Sequence, residues 1–112
     1  MNELSQKHCG EMTACMIALD ESETEAMMSQ LEPEWQLGDD SKSISCRYDF
    51  DNYYQTMAFV NVIAQIAHQQ DHHPEINVSY NNCLVTYTTH SAGGLSLKDL
   101  ICAAKINRAL QL

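Results

Sequence analysis

Basic residues are scarce in this sequence: Lys and Arg number 6 against 15 Asp and Glu, for a formal net charge of −9 at pH 7. Such a chain is repelled by phosphate backbones and by anionic membrane surfaces. Long apolar runs are also lacking, since no stretch approaches the roughly 20 residues that a membrane-spanning helix needs. The first residues lack the basic stretch and apolar run of a secretory signal. We therefore expect a cytoplasmic protein that binds neither nucleic acid directly nor a membrane.

The cysteines lack a regular spacing. They are odd in number and widely separated, which fits neither a secreted disulfide framework nor a paired CxxC zinc site: Cys9, Cys15, Cys46, Cys83 and Cys102. Reduced thiols are the favoured interpretation, and metal binding by Cys9 and Cys15 is a weaker alternative. The GxSxG, P-loop and GxGxxG motifs are absent too, so the sequence gives no support to a serine hydrolase or to a nucleotide-binding loop.

What the sequence does have is enough apolar material for one core. Hydrophobic residues make up 45% of the 112 residues and charged residues 19%, the balance of a single folded domain. Residues 1–19 show no sustained period and are predicted to form a loosely attached arm. Residues 20–112 are predicted to form the domain.

Helix and strand signals alternate through that domain. Asp20 or Ser22 can cap a first helix that runs to about Leu31. Two hairpins are indicated, one around "GDDSK" between "WQL" and "SISCRYDF", the other around "NN" between "INVSY" and "CLVTYTTH". Residues 52–73, with Asp51 as cap, contain neither Gly nor Pro and predict a long helix, and Ser96 caps the last one.

The order of these elements is α-β-β-α-β-β-α. It predicts an α+β fold in which three helices pack on one face of a four-stranded antiparallel sheet. The apolar residues of the long helix cover more than one stripe. We therefore expect that helix to be mostly buried, against the sheet on one side and against another subunit on a second.

Three of the 5 histidines lie in "HQQDHHPEINVSY", residues 68–80. Pro74 disfavours the α conformation at His73, so the long helix should end at the histidine pair, where neighbouring side chains can point into a cleft. Imidazoles titrate near neutrality and suit acid-base chemistry. His90 ends a predicted strand that an antiparallel hairpin brings back toward Pro74. Two alternatives stay open: polar residues at element ends, and a metal site through His68, His72 and His90, because His68 and His72 are four apart on a helix.

Several further motifs accompany the histidine pair: "DHHPEINVSY" is followed at a fixed spacing by His90 and Asp99, and the chain also contains "THSAGGLSLKDL" and "PEW". Together they resemble the pterin-4a-carbinolamine dehydratase family, and the resemblance covers roughly residues 20–110. It implies that His72, His73 and His90 are catalytic. Pterin contacts would come from the following residues: Asp71, Thr88, Thr89 and Ser91. Asp99 would be a supporting acid that orients a histidine, with His68 as a second supporting position.

The reaction implied by the resemblance is loss of water from 4a-hydroxytetrahydropterin to give quinonoid dihydropterin. An acid protonates the 4a oxygen and a base removes the proton from N5, so neither metal nor organic cofactor is required. We favour His72 and His90 as flanking the reacting centre, with His73 placing the substrate. Many members carry Glu where this chain has His68, and Trp where it has Ile76, and these departures bear on rate and affinity.

The resemblance also implies partners. Family members assemble as homodimers or homotetramers, and their pterin comes from an aromatic amino-acid hydroxylase pathway or from molybdenum-cofactor metabolism. The family has a second role, as a dimerisation cofactor of a homeodomain transcription factor. A non-catalytic protein-binding module is therefore the alternative function.

Overall fold

The computed structural model describes residues 17–31 and 35–110 and contains the helices and strands in the predicted order. Their bounds are α1 Glu21–Met28, β1 Gln36–Leu37, β2 Ile44–Asp49, α2 Tyr53–Gln70, β3 Glu75–Val78, β4 Asn82–Tyr87 and α3 Leu97–Leu110. A one-turn 3-10 helix, His90–Ala92, lies between β4 and α3. The predicted α+β fold is confirmed, although α1 ends earlier than expected and β4 ends before His90.

Polar side chains set where the first two helices begin. In α1 the Asp20 carboxylate accepts from the Glu23 backbone N–H at 2.7 Å, and the Glu23 carboxylate accepts from the Asp20 N–H at 3.1 Å. This is a complete capping box. In α2 the cap is Asn52, whose side chain accepts from the Gln55 N–H at 2.9 Å. The predicted cap, Asp51, lies one residue too early and donates its own N–H to the Gln55 side chain.

The sheet has the strand order β1-β2-β4-β3, and all three pairings are antiparallel. Side chains alternate between its two faces. On one face Ile44 and Cys46 of β2 and Val85 and Tyr87 of β4 are buried, while Arg47 on the other face is exposed. The helices cover the buried face, and the edge strands are β1 and β3.

The long helix α2 packs on this core along a single stripe. Its buried residues are Thr56, Phe59, Ile63, Ile66 and Gln70. Other apolar side chains remain exposed, including Tyr54 at 82% and Val62 at 36%. The described residues of one chain therefore bury α2 along one stripe only, and burial of the second stripe against another subunit stays a prediction.

Much of the predicted N-terminal arm lies outside the described residues, and so do Cys9 and Cys15. At its end, Leu19 donates its N–H to the Leu95 carbonyl at 2.9 Å, and Ala18 forms an isolated antiparallel bridge with Ser96. The chain is thus joined to the loop before α3 by residue 18. Across residues 17–31 and 35–110, no helix is both long and apolar enough to span a membrane.

Candidate functional site

The site is built where α2 ends. Asp71 adopts a left-handed conformation (φ 52°, ψ 45°) and its N–H donates to the Ala67 carbonyl. The next N–H, that of His72, donates to the same carbonyl at 3.1 Å. Two donors on one carbonyl close the last turn, and the left-handed residue redirects the chain out of the helix axis. The helix therefore ends just before the histidine pair, as Pro74 predicts.

His72 makes one short polar contact, with Asp99 near the start of α3. Its Nε2 lies 2.6 Å from Asp99 Oδ1. The Asp99 side chain is 0% exposed and the His72 side chain 12% exposed. Buried carboxylates need partners for both oxygens, because an unpaired charge away from water is strongly destabilising. The arrangement matches the predicted role of Asp99 in orienting a histidine, which stays a prediction.

The second oxygen of Asp99 is also fully engaged. Oδ2 accepts from the Thr89 hydroxyl at 2.8 Å and from the Ser96 N–H at 3.0 Å. Since the single hydroxyl proton of Thr89 goes to Asp99, the Ser96 hydroxyl must donate to Thr89, 2.7 Å away. Ser96, the predicted cap of α3, lies directly before that helix; its backbone N–H donates to the Asp99 side chain three residues on, and its hydroxyl supports Thr89. With the Thr89 hydroxyl and the Ser96 N–H both donating to Oδ2, an ionised Asp99 offers Oδ1 to His72 as an acceptor.

This network fixes the chemistry of the His72 ring. A carboxylate that only accepts requires a proton on Nε2, so the free atom for a substrate is Nδ1. In the neutral ring Nδ1 is an acceptor and can take a proton. In the imidazolium ring it is a donor and can deliver one, with the positive charge stabilised by Asp99. One nitrogen can therefore serve as base or as acid.

A neighbouring contact holds the backbone of the same corner. The Lys98 ammonium donates to the Asp71 carbonyl at 3.3 Å, and Lys98 is 5% exposed. A lysine at a helix C-terminus also interacts favourably with the helix dipole. Consecutive residues of α3, Lys98 and Asp99, thus bind consecutive residues of the corner, Asp71 and His72. Nothing in the spacing of Lys98 pointed to this contact.

The other predicted histidines lie at the surface. His73 is exposed, with Nδ1 3.5 Å from the Pro74 carbonyl, and His90 is exposed at the start of the 3-10 helix. That turn is closed by Gly93, whose positive φ of 75° suits glycine and whose N–H donates to the His90 carbonyl. His68 is exposed in the last turn of α2. The metal hypothesis required His68 and His72 to share a helical face. They do not, because His72 lies beyond the end of α2.

The residues predicted to contact a substrate divide into exposed and buried ones. Asp71 and Ser91 are exposed. Thr88 is half-buried and its hydroxyl donates to the Lys42 carbonyl at 2.5 Å. Thr89 is 2% exposed, with its hydroxyl committed to Asp99. A direct contact between Thr89 and a substrate is therefore not available in this arrangement, and Thr89 instead supports the carboxylate.

Sequence reasoning also missed Tyr87, which lies against the face of the His72 ring. The two ring centroids are 5.6 Å apart and the planes are inclined by 23°, a stacked arrangement. Alternation along β4 places Tyr87 on the buried face of the sheet, beside Cys83 and Val85. That pattern marks a core residue. It carries no sign of a histidine partner, because that partner precedes β3, 15 positions earlier in the chain, and only the β3–β4 pairing brings the two together.

The thiols near the site are unsuited to nucleophilic chemistry. Burial raises the pKa of Cys102 to about 12 and also raises the pKa of Cys83. The thiolate is the reactive form, so both groups are inert near neutrality. Among the described residues, no group of three or more His, Cys, Asp or Glu side chains is placed to hold a metal ion.

The support given by Thr89 can be tested directly. We expect Thr89→Val, which keeps the shape of the side chain, to lower the free energy of unfolding by about 1 to 3 kcal/mol, because Asp99 loses a donor and Ser96 loses an acceptor. Urea denaturation measures the change. Thr86→Val, on the outer face of β4, is the matched control and should lie within about 0.5 kcal/mol of the parent. Equal midpoints for the two variants would contradict this role.

Comparison with known proteins places these residues in a family context. The family model described as pterin 4 alpha carbinolamine dehydratase matches residues 17–109. A protein of Nitrosomonas eutropha is 48% identical over 96% of this chain and 94% of its own length, and one of Nitrosospira multiformis is 47% identical over 100% and 96%. Both carry the provisional name pterin-4-alpha-carbinolamine dehydratase.

Two solved structures are similar as well. A transcriptional coactivator/pterin dehydratase from Brucella melitensis has a TM-score of 0.76 and 33% identity, covering 80% of this chain and 95% of its own. A pterin dehydratase-like protein identified as a RuBisCO assembly factor in the alpha-carboxysome has a TM-score of 0.58 and 21% identity, covering 67% and 87%. The second likeness concerns the fold alone.

Proposed function

Because the chain belongs to the pterin 4 alpha carbinolamine dehydratase family, we propose that it removes water from 4a-hydroxytetrahydropterin to give quinonoid dihydropterin. The observation that carries the proposal is the 2.6 Å contact between His72 Nε2 and the fully buried Asp99. It leaves one oriented nitrogen, Nδ1, for proton transfer at the edge of the protein. Positioned histidines contribute typically 10² to 10⁴ to such transfers.

In the proposed reaction the bond from C4a to the hydroxyl oxygen breaks. The oxygen leaves as water after it receives a proton, and N5 loses its proton as the new double bond forms between N5 and C4a. The electron pair on N5 drives the departure, so the protein needs only an acid and a base. His72 fills one of these roles through Nδ1 and His90 the other.

The remaining site residues bind and place the pterin in this proposal. His73 is exposed next to His72, and Asp71 and Ser91 are exposed as well. Thr88 is half-buried just after the end of β4. Thr89 acts through Asp99, as its burial requires. His68 is a supporting residue at the end of α2.

The proposal is tested by following the dehydration of 4a-hydroxytetrahydropterin in absorbance, with purified protein, in the presence of a metal chelator. We expect a rate that rises in proportion to protein concentration above the spontaneous rate. Gln69→Ala, an exposed substitution in the last turn of α2, should keep this activity. If wild-type protein gave only the spontaneous rate at micromolar concentration, the proposal would be wrong.

The proposal extends to assembly and pathway. The apolar stripe of α2 that the described residues leave exposed favours a homodimer or homotetramer. We place the protein in the cytoplasm, where it would recycle pterin for an aromatic amino-acid hydroxylase or serve molybdenum-cofactor metabolism. Sedimentation at micromolar concentration distinguishes monomer, dimer and tetramer.

A second candidate function is a protein-binding module without catalysis. The observation in its favour is the name of the Brucella melitensis structure, which includes a coactivator role at 33% identity. The His72→Gln variant distinguishes the two candidate functions. A binding module keeps its cellular role in that variant, whereas a dehydratase loses it.

A further inference from the structure

We propose that Tyr87 is a positioning residue for His72: its ring fixes the plane of the imidazole against Asp99 and stabilises the protonated imidazole. The inference rests on the proposed function, in which His72 carries the proton. In this proposal Tyr87 forms no hydrogen bond with the substrate or with Asp99. Its role would be carried by the aromatic ring alone.

The geometry gives the ring a role that Asp99 cannot fill. A single hydrogen bond at Nε2 fixes one edge of the imidazole and leaves rotation about that contact possible. Tyr87 lies against the face of the ring, with centroids 5.6 Å apart and planes 23° apart. An edge contact and a face contact together define the orientation of the ring. The direction of Nδ1, the nitrogen left for substrate, follows from both.

Tyr87 is itself held in place. It is 0% exposed and lies opposite Ile44 in the register of β2 and β4. Its ring packs against Trp35, with centroids 6.3 Å apart. The indole N–H of Trp35 donates to the Asn107 side chain at 3.0 Å. The support behind His72 therefore extends through two buried aromatic rings to α3.

The hydroxyl of Tyr87 is not the reason for its position. It is buried beside the Cys102 thiol, which can form only a weak hydrogen bond with it, and burial raises the pKa of Tyr87 well above its ordinary value. The phenol is therefore neutral at any working pH and is no proton donor to the site. What remains useful to His72 is the π face.

A π face attracts a cation that lies within about 6 Å of its centroid, more strongly where water is excluded. Protonated His72 meets that distance. The other groups around it are Asp99 from α3, the Lys98 ammonium on the Asp71 carbonyl, and its exposed chain neighbours Asp71 and His73. None of them is altered by a change in the ring of Tyr87, so the effect of that ring can be isolated.

The experiment replaces the ring without changing its shape. The variants are Tyr87→Phe and Tyr87→pentafluorophenylalanine, which removes the negative π face, with Tyr54→pentafluorophenylalanine on the exposed start of α2 as the control. The midpoint of His72 protonation is read by NMR without substrate, its signal assigned by loss in His72→Gln. We expect the midpoint unchanged in Tyr87→Phe and in the control, and lower by about half a unit to one unit in the fluorinated Tyr87 variant.

Equal midpoints in all variants would overturn the electrostatic role, whatever the activity assay gives. A lower midpoint in a protein without dehydratase activity would support the role of Tyr87 and refute the proposed function. Where activity is present, the pH profile of the rate should move with the midpoint. Tyr87→Leu, which removes the ring face, should then lower the rate at least tenfold, with folding checked by the unchanged NMR signals of α1.

Discussion

Replacement of His72 by glutamine is expected to lower the catalysed dehydration rate by about 10² to 10⁴. Glutamine offers an amide N–H to Asp99 in place of Nε2, but it has no group that titrates near neutrality. The carboxylate thus keeps a donor while the proton-transfer atom is lost. The rate is measured at saturating pterin, and thermal unfolding shows whether the variant is folded.

The matched control is Gln69→Ala, since Gln69 is exposed, lies three residues earlier and makes no contact with Asp99. Its rate should stay within twofold of the parent. His90→Gln distinguishes the second proposed proton-transfer group and should lower the rate at least tenfold. If His72→Gln kept the parent's rate, Nδ1 of His72 would not be the proton-transfer atom.

The second large effect is expected from Asp99→Asn. A carboxylate offers acceptors on both oxygens, and here both are used: Oδ1 by His72, and Oδ2 by Thr89 and the Ser96 N–H. An amide has one acceptor oxygen and one donor nitrogen. If the nitrogen faces Ser96, the amide NH₂ of the new side chain and the Ser96 N–H face each other, and both are donors. If it faces His72, the ring must give up its proton on Nε2 and carry it on Nδ1 instead.

Either orientation damages the site. We expect the free energy of unfolding to fall by about 2 to 4 kcal/mol, because a buried charge-assisted network is broken. We also expect the dehydration rate to fall at least 10²-fold, since the ring takes the wrong tautomer. Urea denaturation and the dehydration assay measure the two effects. Asp39→Asn, in the exposed turn between β1 and β2, is the control; an Asp99→Asn variant as stable and active as that control would contradict the assignment.

Sequence patterns predicted the elements because their signals are local. The capping box at Asp20, the uninterrupted stretch of α2 and the proline after the histidine pair each depend on residues within a few positions. The predicted cap of α2, Asp51, was wrong because the adjacent polar residue Asn52 offers an equivalent cap. The end of β4 failed for another reason: "TYTTH" continues to read as a strand, while the chain actually turns into a 3-10 helix after Thr89.

The site was only partly predictable for a related reason. The family resemblance predicted the histidine pair and Asp99, but the role of Thr89 depends on which way its side chain points after the strand ends. The stacking of Tyr87 on His72 depends on the register between β3 and β4 and on the turn at Asp71. These are contacts between elements, and no periodicity within one element encodes them.

The two contacts from α3 to the corner after α2 have a consequence for folding. His72 with Asp99, and Asp71 with Lys98, are both separated by 27 residues, so they close the same loop around the β3–β4 hairpin. The loss of chain entropy on closure is incurred once, and the second contact adds little to it. The two contacts should therefore form and break together. Amide hydrogen exchange at the His72 N–H should thus follow that of α3 rather than that of α1, and proton transfer should vanish in the same step in which α3 undocks.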